Sequence, residues 1–133
     1  MKSMTSVMIV CVVMVGVFLI SGPSQAQEDS GAVMQVVTID THGNTAAYLA
    51  SVKAVLERIE ELAPESNSRV WVATFSGDTV GTVYVVVEYP SMASFAAATE
   101  NLFADESFTK GVAALVATGR TVESTSVLRE VTP

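Results

Sequence analysis

The sequence predicts an α+β domain, a four-stranded antiparallel sheet with its helices packed on one face. β-branched runs alternate with apolar stripes of helical spacing in the order strand, helix, strand, strand, helix, strand. The two middle strands lie close enough to pair as a hairpin. At 133 residues the chain holds one domain, since domains run to roughly 100–200 residues each.

Composition narrows the class further. There are 14 acidic against 7 basic side chains, a net charge of −7 and a pI near 4.5, with no cluster of Lys and Arg. That balance opposes a phosphate-seeking surface, so a nucleic-acid binder is excluded. With 16% charged and 50% hydrophobic residues, an acidic disordered chain is excluded too.

The N-terminus reads as an address. Lys2 supplies a positive start and Val7 to Ile20 is an uncharged run of 14 residues. Ser21-Gly22-Pro23 breaks that run, and Ser24 and Ala26 stand where signal peptidase reads small residues. A membrane-spanning helix wants about 20 residues, and the next charges, Glu28 and Asp29, are not a stop-transfer cluster. The reading is a secretory signal over 1–26, cleaved after Ala26, with export to the periplasm or beyond. An uncleaved N-terminal anchor is the alternative. No stable membrane insertion is expected once the signal is cleaved. Cleavage also removes Cys11, the single cysteine, so thiol catalysis, disulfides and thiolate metal sites drop out together.

Residues 27–32 form a polar lead, and one domain covers 33–131. Val33 to Asp40 is β-branched and bounded by polar residues, as a strand requires. Thr41-His42-Gly43-Asn44 breaks it, and Asn44 or Thr45 can cap a helix. Tyr48, Leu49, Val52, Val55, Leu56, Ile59 and Leu62 then make one stripe, which Pro64 ends. Arg69 to Phe75 alternates, with Trp71, Ala73 and Phe75 expected on one face. Ser76-Gly77-Asp78 turns the chain into a strand over Thr82 to Tyr89. Ser91 is positioned to cap a helix carrying Met92, Phe95, Leu102 and Phe103, all expected in the core. Asp105 opens a second helical stretch that Gly119 stops, and Arg120 to Val131 is the last strand.

This order folds most simply as a ferredoxin-like βαββαβ sheet, covered by helices on one side only. Tyr84 and Val86 oppose Val83, Val85, Val87 and Tyr89 on one strand, so apolar side chains occupy both faces. The uncovered face needs a second cover, and a partner sheet from another copy would supply it.

The run Glu88-Tyr89-Pro90-Ser91-Met92-Ala93-Ser94-Phe95, followed by Leu102-Phe103-Ala104-Asp105-Glu106-Ser107-Phe108, resembles the dimeric α/β barrel superfamily. Its members include antibiotic-biosynthesis monooxygenase-type, NIPSNAP-like and EthD-like domains. The resemblance spans nearly all of 33 to 131 and its motifs are structural. It implies a homodimer whose sheets face each other around a small-ligand cavity, and it says much less about activity.

Chemistry-bearing residues are few. His42 is the one side chain that ordinarily titrates near neutrality, and Asp40 is close enough in sequence to orient it; a solvated loop histidine explains it as well. Tyr84 and Glu88 share a strand face, where an apolar cavity would make Glu88 a base; an exposed edge glutamate is the plain alternative. Trp71 fills the core or a dimer contact, or lines the cavity. Ser124 and Ser126 share a face of the last strand without a paired base. Cofactor-free monooxygenases of the resembled superfamily rely on an Asn, a Trp and a Tyr; Asn44, Trp71, Tyr48 and Tyr84 supply those types here. Heme-degrading relatives use a histidine on the second helix, and Met92 to Thr118 has none, which disfavours heme breakdown. One histidine with scattered carboxylates predicts no metal site, and no cofactor motif is present.

Two readings follow. In the first the protein is an exported homodimer that binds a small apolar ligand in a sheet-lined cavity without catalysing a reaction. In the second it is a cofactor-independent monooxygenase or isomerase acting on an aromatic or polyketide-like molecule, through His42, Tyr84 and Glu88, with Trp71, Asn44, Tyr48 and Ser124 as ligand contacts.

Overall fold

Strand β1 (Val33–Asp40) lies between two partners and organises everything else. The computed structural model describes residues 31–75 and 77–131, so the predicted signal over 1–26 lies outside the described residues. The remaining strands are β2 (Asn67–Val72), β3 (Val83–Tyr89) and β4 (Thr121–Arg129). They make one antiparallel sheet in the order β2-β3-β1-β4, the ferredoxin-like arrangement that the element order predicts.

Register assigns the faces. Val33, Val37 and Ile39 lie opposite Tyr89, Val85 and Val83, and all but the half-buried Val37 are deeply buried beneath the helices. Helix α1 (Thr45–Leu62) presents Tyr48, Val52, Val55 and Ile59 to them. Helix α2 (Met92–Ala104) adds Phe95, Ala98 and Leu102, and α3 (Glu106–Ala117) adds Phe108 and Leu115. Tyr89 meets Phe95 edge-on with ring centres 5.3 Å apart, which ties β3 to α2. A Cβ at Gly111 would stand 2.9 Å from Val55 Cγ2, so glycine lets α3 lie close against α1.

The helix boundaries follow the cap chemistry read from sequence. Ser91 Oγ accepts the Ser94 N–H at 3.0 Å, and Asp105 Oδ1 accepts the Phe108 N–H at 2.7 Å. Gly119 takes a φ of 81°, which a Cβ would penalise, and stops α3. Asn44 is the N-cap residue of α1 but makes no side-chain cap bond; its Nδ2 donates instead to the Thr118 carbonyl at 3.2 Å.

Three sequence expectations are corrected. β2 covers Asn67–Val72 rather than Arg69 to Phe75, because pairing begins at Asn67 opposite Glu88 and the chain reverses beyond Ala73. The Ala73 N–H donates to the Thr82 carbonyl at 2.9 Å and the Gly81 N–H to the Ala73 carbonyl at 2.8 Å, closing the hairpin. Phe75 therefore projects from the turn, 99% exposed, and shares no strand face with Trp71. Met92, at the first position of α2, is also exposed rather than core.

Asp105 carries a second load. Arg58 Nε donates to its Oδ1 at 2.9 Å and an Arg58 terminal amino group to its Oδ2 at 2.6 Å, joining α1 to the α2–α3 junction. The guanidinium, and after it the Phe108 N–H, hold the carboxyl down at about 2. A depressed native value means that ionised Asp105 stabilises the fold above the unfolded range near 4, and that this stability is lost as pH falls toward 2. Acid unfolding should show it: Asp105→Asn should be less stable than wild type at pH 6, with the difference shrinking steadily between pH 4 and 2.

Candidate functional site

The face of the sheet opposite the helices is built in cross-strand rows. Trp71, Tyr84, Thr38 and Ser124 stand side by side on β2, β3, β1 and β4. The next row is Arg69, Val86, Val36 and Ser126, and the third is Asn67, Glu88, Met34 and Leu128. Neighbours within a row are about 5 Å apart and successive rows about 7 Å apart. Trp71 and Leu128 are 58% and 48% exposed; Tyr84, Val86, Val36 and Met34 are half-buried between them. A band of apolar and aromatic side chains thus runs across a surface that no helix covers.

Its polar groups are sorted by position. Glu88 Oε2 lies 3.5 Å from an Arg69 terminal nitrogen and accepts from Asn67 Nδ2 at 3.4 Å, so its carboxylate is engaged at the β2 edge. Tyr84 and Glu88 do share this face, as strand parity predicts, but four residues of strand hold them roughly 13 Å apart. They cannot converge on one small reacting group.

A tighter cluster stands where β1 ends. Asp40 Oδ1 accepts the backbone N–H of His42 at 2.7 Å, and its Oδ2 is 3.2 Å from His42 Nδ1. His42 Nε2 is 2.7 Å from the hydroxyl of Thr121, the residue paired with Asp40 across β1 and β4. His42 takes a φ of 50°, a left-handed conformation uncommon outside glycine, and the Asp40 carboxylate pins it there. Asp40 thus stands beside the imidazole, the neighbour that its place in the sequence predicts. Thr121 escaped the sequence reading, because its partner is 79 residues away and only the β1–β4 ladder joins them. Thr38 was missed likewise; strand parity alone could have placed it opposite the helix-facing valines.

The other candidates lie elsewhere. Tyr48 is 2% exposed in the core beneath the helix-facing side, away from the row of Trp71 and Tyr84. Burial raises its phenol, and nearby Arg120 opposes that rise. Asn44 is exposed at the start of α1, its amide tied to Thr118. Trp71 is not core within the chain, because β2 is an edge strand and the ring points to the bare face. Among the described residues, no group of three His, Cys, Asp or Glu side chains could hold a metal ion. No described helix is long and apolar enough to cross a membrane.

Comparison with known proteins yields fold likeness. No protein-family model matches the sequence, and no curated protein matches it significantly. Among solved structures, the chain is similar to a protein from Caulobacter crescentus assigned provisionally as an antibiotic biosynthesis monooxygenase. That match has 16% identity and a TM-score of 0.56, covering 81% of this chain and 97% of the other. A cofactor-independent oxygenase from Streptomyces nogalater matches at 15% identity and a TM-score of 0.45 over 77% of this chain and 94% of its own, which adds nothing to the first. The likeness is one of fold, a four-stranded antiparallel sheet with its helices on one face.

The exposure of Trp71 sets an expectation for its removal. A core tryptophan truncated to alanine costs about 3–5 kcal/mol, whereas one on an open edge should cost about 1 kcal/mol. Urea unfolding of Trp71→Ala at a concentration where wild type is monomeric distinguishes the two.

Proposed function

We propose that the protein acts as a homodimer whose two bare sheet faces close over a small aromatic or apolar ligand. The observation that supports this reading best is the row of Trp71, Tyr84, Thr38 and Ser124, backed by Val86, Val36, Met34 and Leu128, on a surface without cover. Burying such a band is worth about 25 cal/mol per Å² of apolar area, and two copies offer each other complementary, self-matching faces. Trp71 and Tyr84 would present ring faces to the ligand, with the hydroxyls of Thr38 and Ser124 beside them. Light scattering at micromolar concentration should give the mass of two chains. Val86→Asp, placing a charge in the middle of the face, should shift it to one; a wild-type monomer would sink the reading.

A second reading, a cofactor-independent monooxygenase or isomerase acting on an aromatic or polyketide-like molecule, draws support from the Caulobacter structure's assignment and from the polar groups beside the aromatic row. Tyr84 with Glu88 does not serve it, since the two are held apart; the cluster around His42 serves it better. We further propose that residues 1–26 direct export. Mass spectrometry of protein recovered outside the cytoplasm should find a chain beginning at Gln27; a retained Met1 would instead favour the anchor.

A further inference from the structure

We infer that Asp40, His42 and Thr121 form a proton acceptor at the rim of the open face, and that it selects an acidic hydroxyaromatic ligand, bound as its phenolate. This rests on the reading of that face as a ligand surface and adds what the ligand must carry.

Position comes first. Strand parity puts Asp40 on the same face as Met34, Val36 and Thr38, and Thr121 is its cross-strand neighbour. The pair makes a further row beyond Trp71, Tyr84, Thr38 and Ser124 across a β-bulge, Asp40 lying two residues (about 7 Å) from Thr38 on β1 and Thr121 three residues from Ser124 on β4. A single aromatic ring lying over Tyr84 and Thr38 reaches that row with a hydroxyl substituent. The side chains of His42 and Asp40 are 56% and 43% exposed, so solvent or a ligand reaches them from the rim.

The hydrogen bonds give the cluster a direction. His42 Nδ1 lies 3.2 Å from Asp40 Oδ2, and in the tautomer that carries its proton on Nδ1, toward that carboxylate, the Nε2 lone pair is left to accept the Thr121 hydroxyl. A threonine oxygen that donates one proton still has two lone pairs. A ligand hydroxyl can therefore donate to Thr121 Oγ1 while the Thr121 proton passes to Nε2. The ligand ends as a phenolate held by the Thr121 hydroxyl, and the new imidazolium is flanked by the Asp40 carboxylate. Only O–H and N–H bonds change, one proton moves, and no electron is transferred.

Turn formation does not account for the cluster. The turn needs only Asp40 Oδ1 and the His42 backbone N–H. Glycine would take the left-handed conformation at less cost. An imidazole set 3.2 Å from a carboxylate on one side and hydrogen-bonded on the other to a hydroxyl from the far strand is surplus to the turn and suits a base.

The test uses 4-nitrophenol and nitrobenzene, which differ by one hydroxyl, in buffer at about pH 6.5, where free 4-nitrophenol is mostly protonated and an ordinary imidazole is still partly neutral. On binding wild type, 4-nitrophenol should develop its yellow phenolate absorption. His42→Asn tolerates the left-handed backbone but lacks the base, and Thr121→Val keeps the strand-favouring shape without the hydroxyl. Each should abolish that absorption and weaken 4-nitrophenol by about tenfold or more, the size of one lost hydrogen bond to a charged group. Nitrobenzene affinity should not change. Retention of the phenolate absorption in either variant, or neutral 4-nitrophenol bound to wild type, overturns the relay alone. If neither probe binds wild type, the ligand surface itself is refuted and the relay falls with it.

Discussion

Helices pack on one side of this sheet only, yet its inner strands carry apolar side chains on both. β1 and β3 spend Val33, Val37, Ile39, Val83, Val85, Val87 and Tyr89 on the helix-facing core, most of them nearly inaccessible to solvent. Their alternate residues, Met34, Val36, Tyr84 and Val86, then have to face the other way, because side chains on a strand alternate. A soluble sheet with one wet face would set polar residues there. That mismatch governs the remaining features: it creates the aromatic row, it favours a second copy as cover, and it leaves a surface on which polar groups are conspicuous.

The polar groups are arranged unevenly around that surface. At one end Glu88 is engaged by Arg69 and Asn67, so its charge is compensated locally. At the other, Asp40 and His42 stand at the terminus of β1 with a hydroxyl from β4 against the imidazole. One end is a closed ion pair, whereas the other retains an oxygen able to accept from an incoming group. The Arg58–Asp105 pair plays a different part on the helix side, where one carboxylate both caps α3 and anchors it to α1. The chain therefore uses its few charges at junctions, which suits a composition with only 16% of them.

Fold and site were legible to different degrees. The element order, Ser91 and Asp105 as helix caps and Gly119 as a stop are local chemistry, readable within a turn or two of chain, and the structure has each of them in place. The alternation through Trp71, Ala73 and Phe75 misled, because a periodic pattern does not say where pairing with the next strand ceases. Tyr48 was readable as part of an apolar stripe; that the stripe sits on the far side of the sheet from Trp71 was not. Thr121 carried no signal at all, since a threonine at a strand start is ordinary until Asp40 and His42 are beside it.

By itself, the sequence determined the sheet-and-helix composition of the domain, its helix boundaries and the two-sided apolar character of its central strands, since these depend on side-chain periodicity and on caps that act over three or four residues. Tertiary structure alone decided which strands are neighbours, in what register, and hence which side chains share a row or a cluster. Pairing between β1 and β4 joins residues some 80 positions apart, and so brings the side chain of His42, just beyond Asp40, against Thr121. No local preference encodes that meeting; it follows from burying one common core.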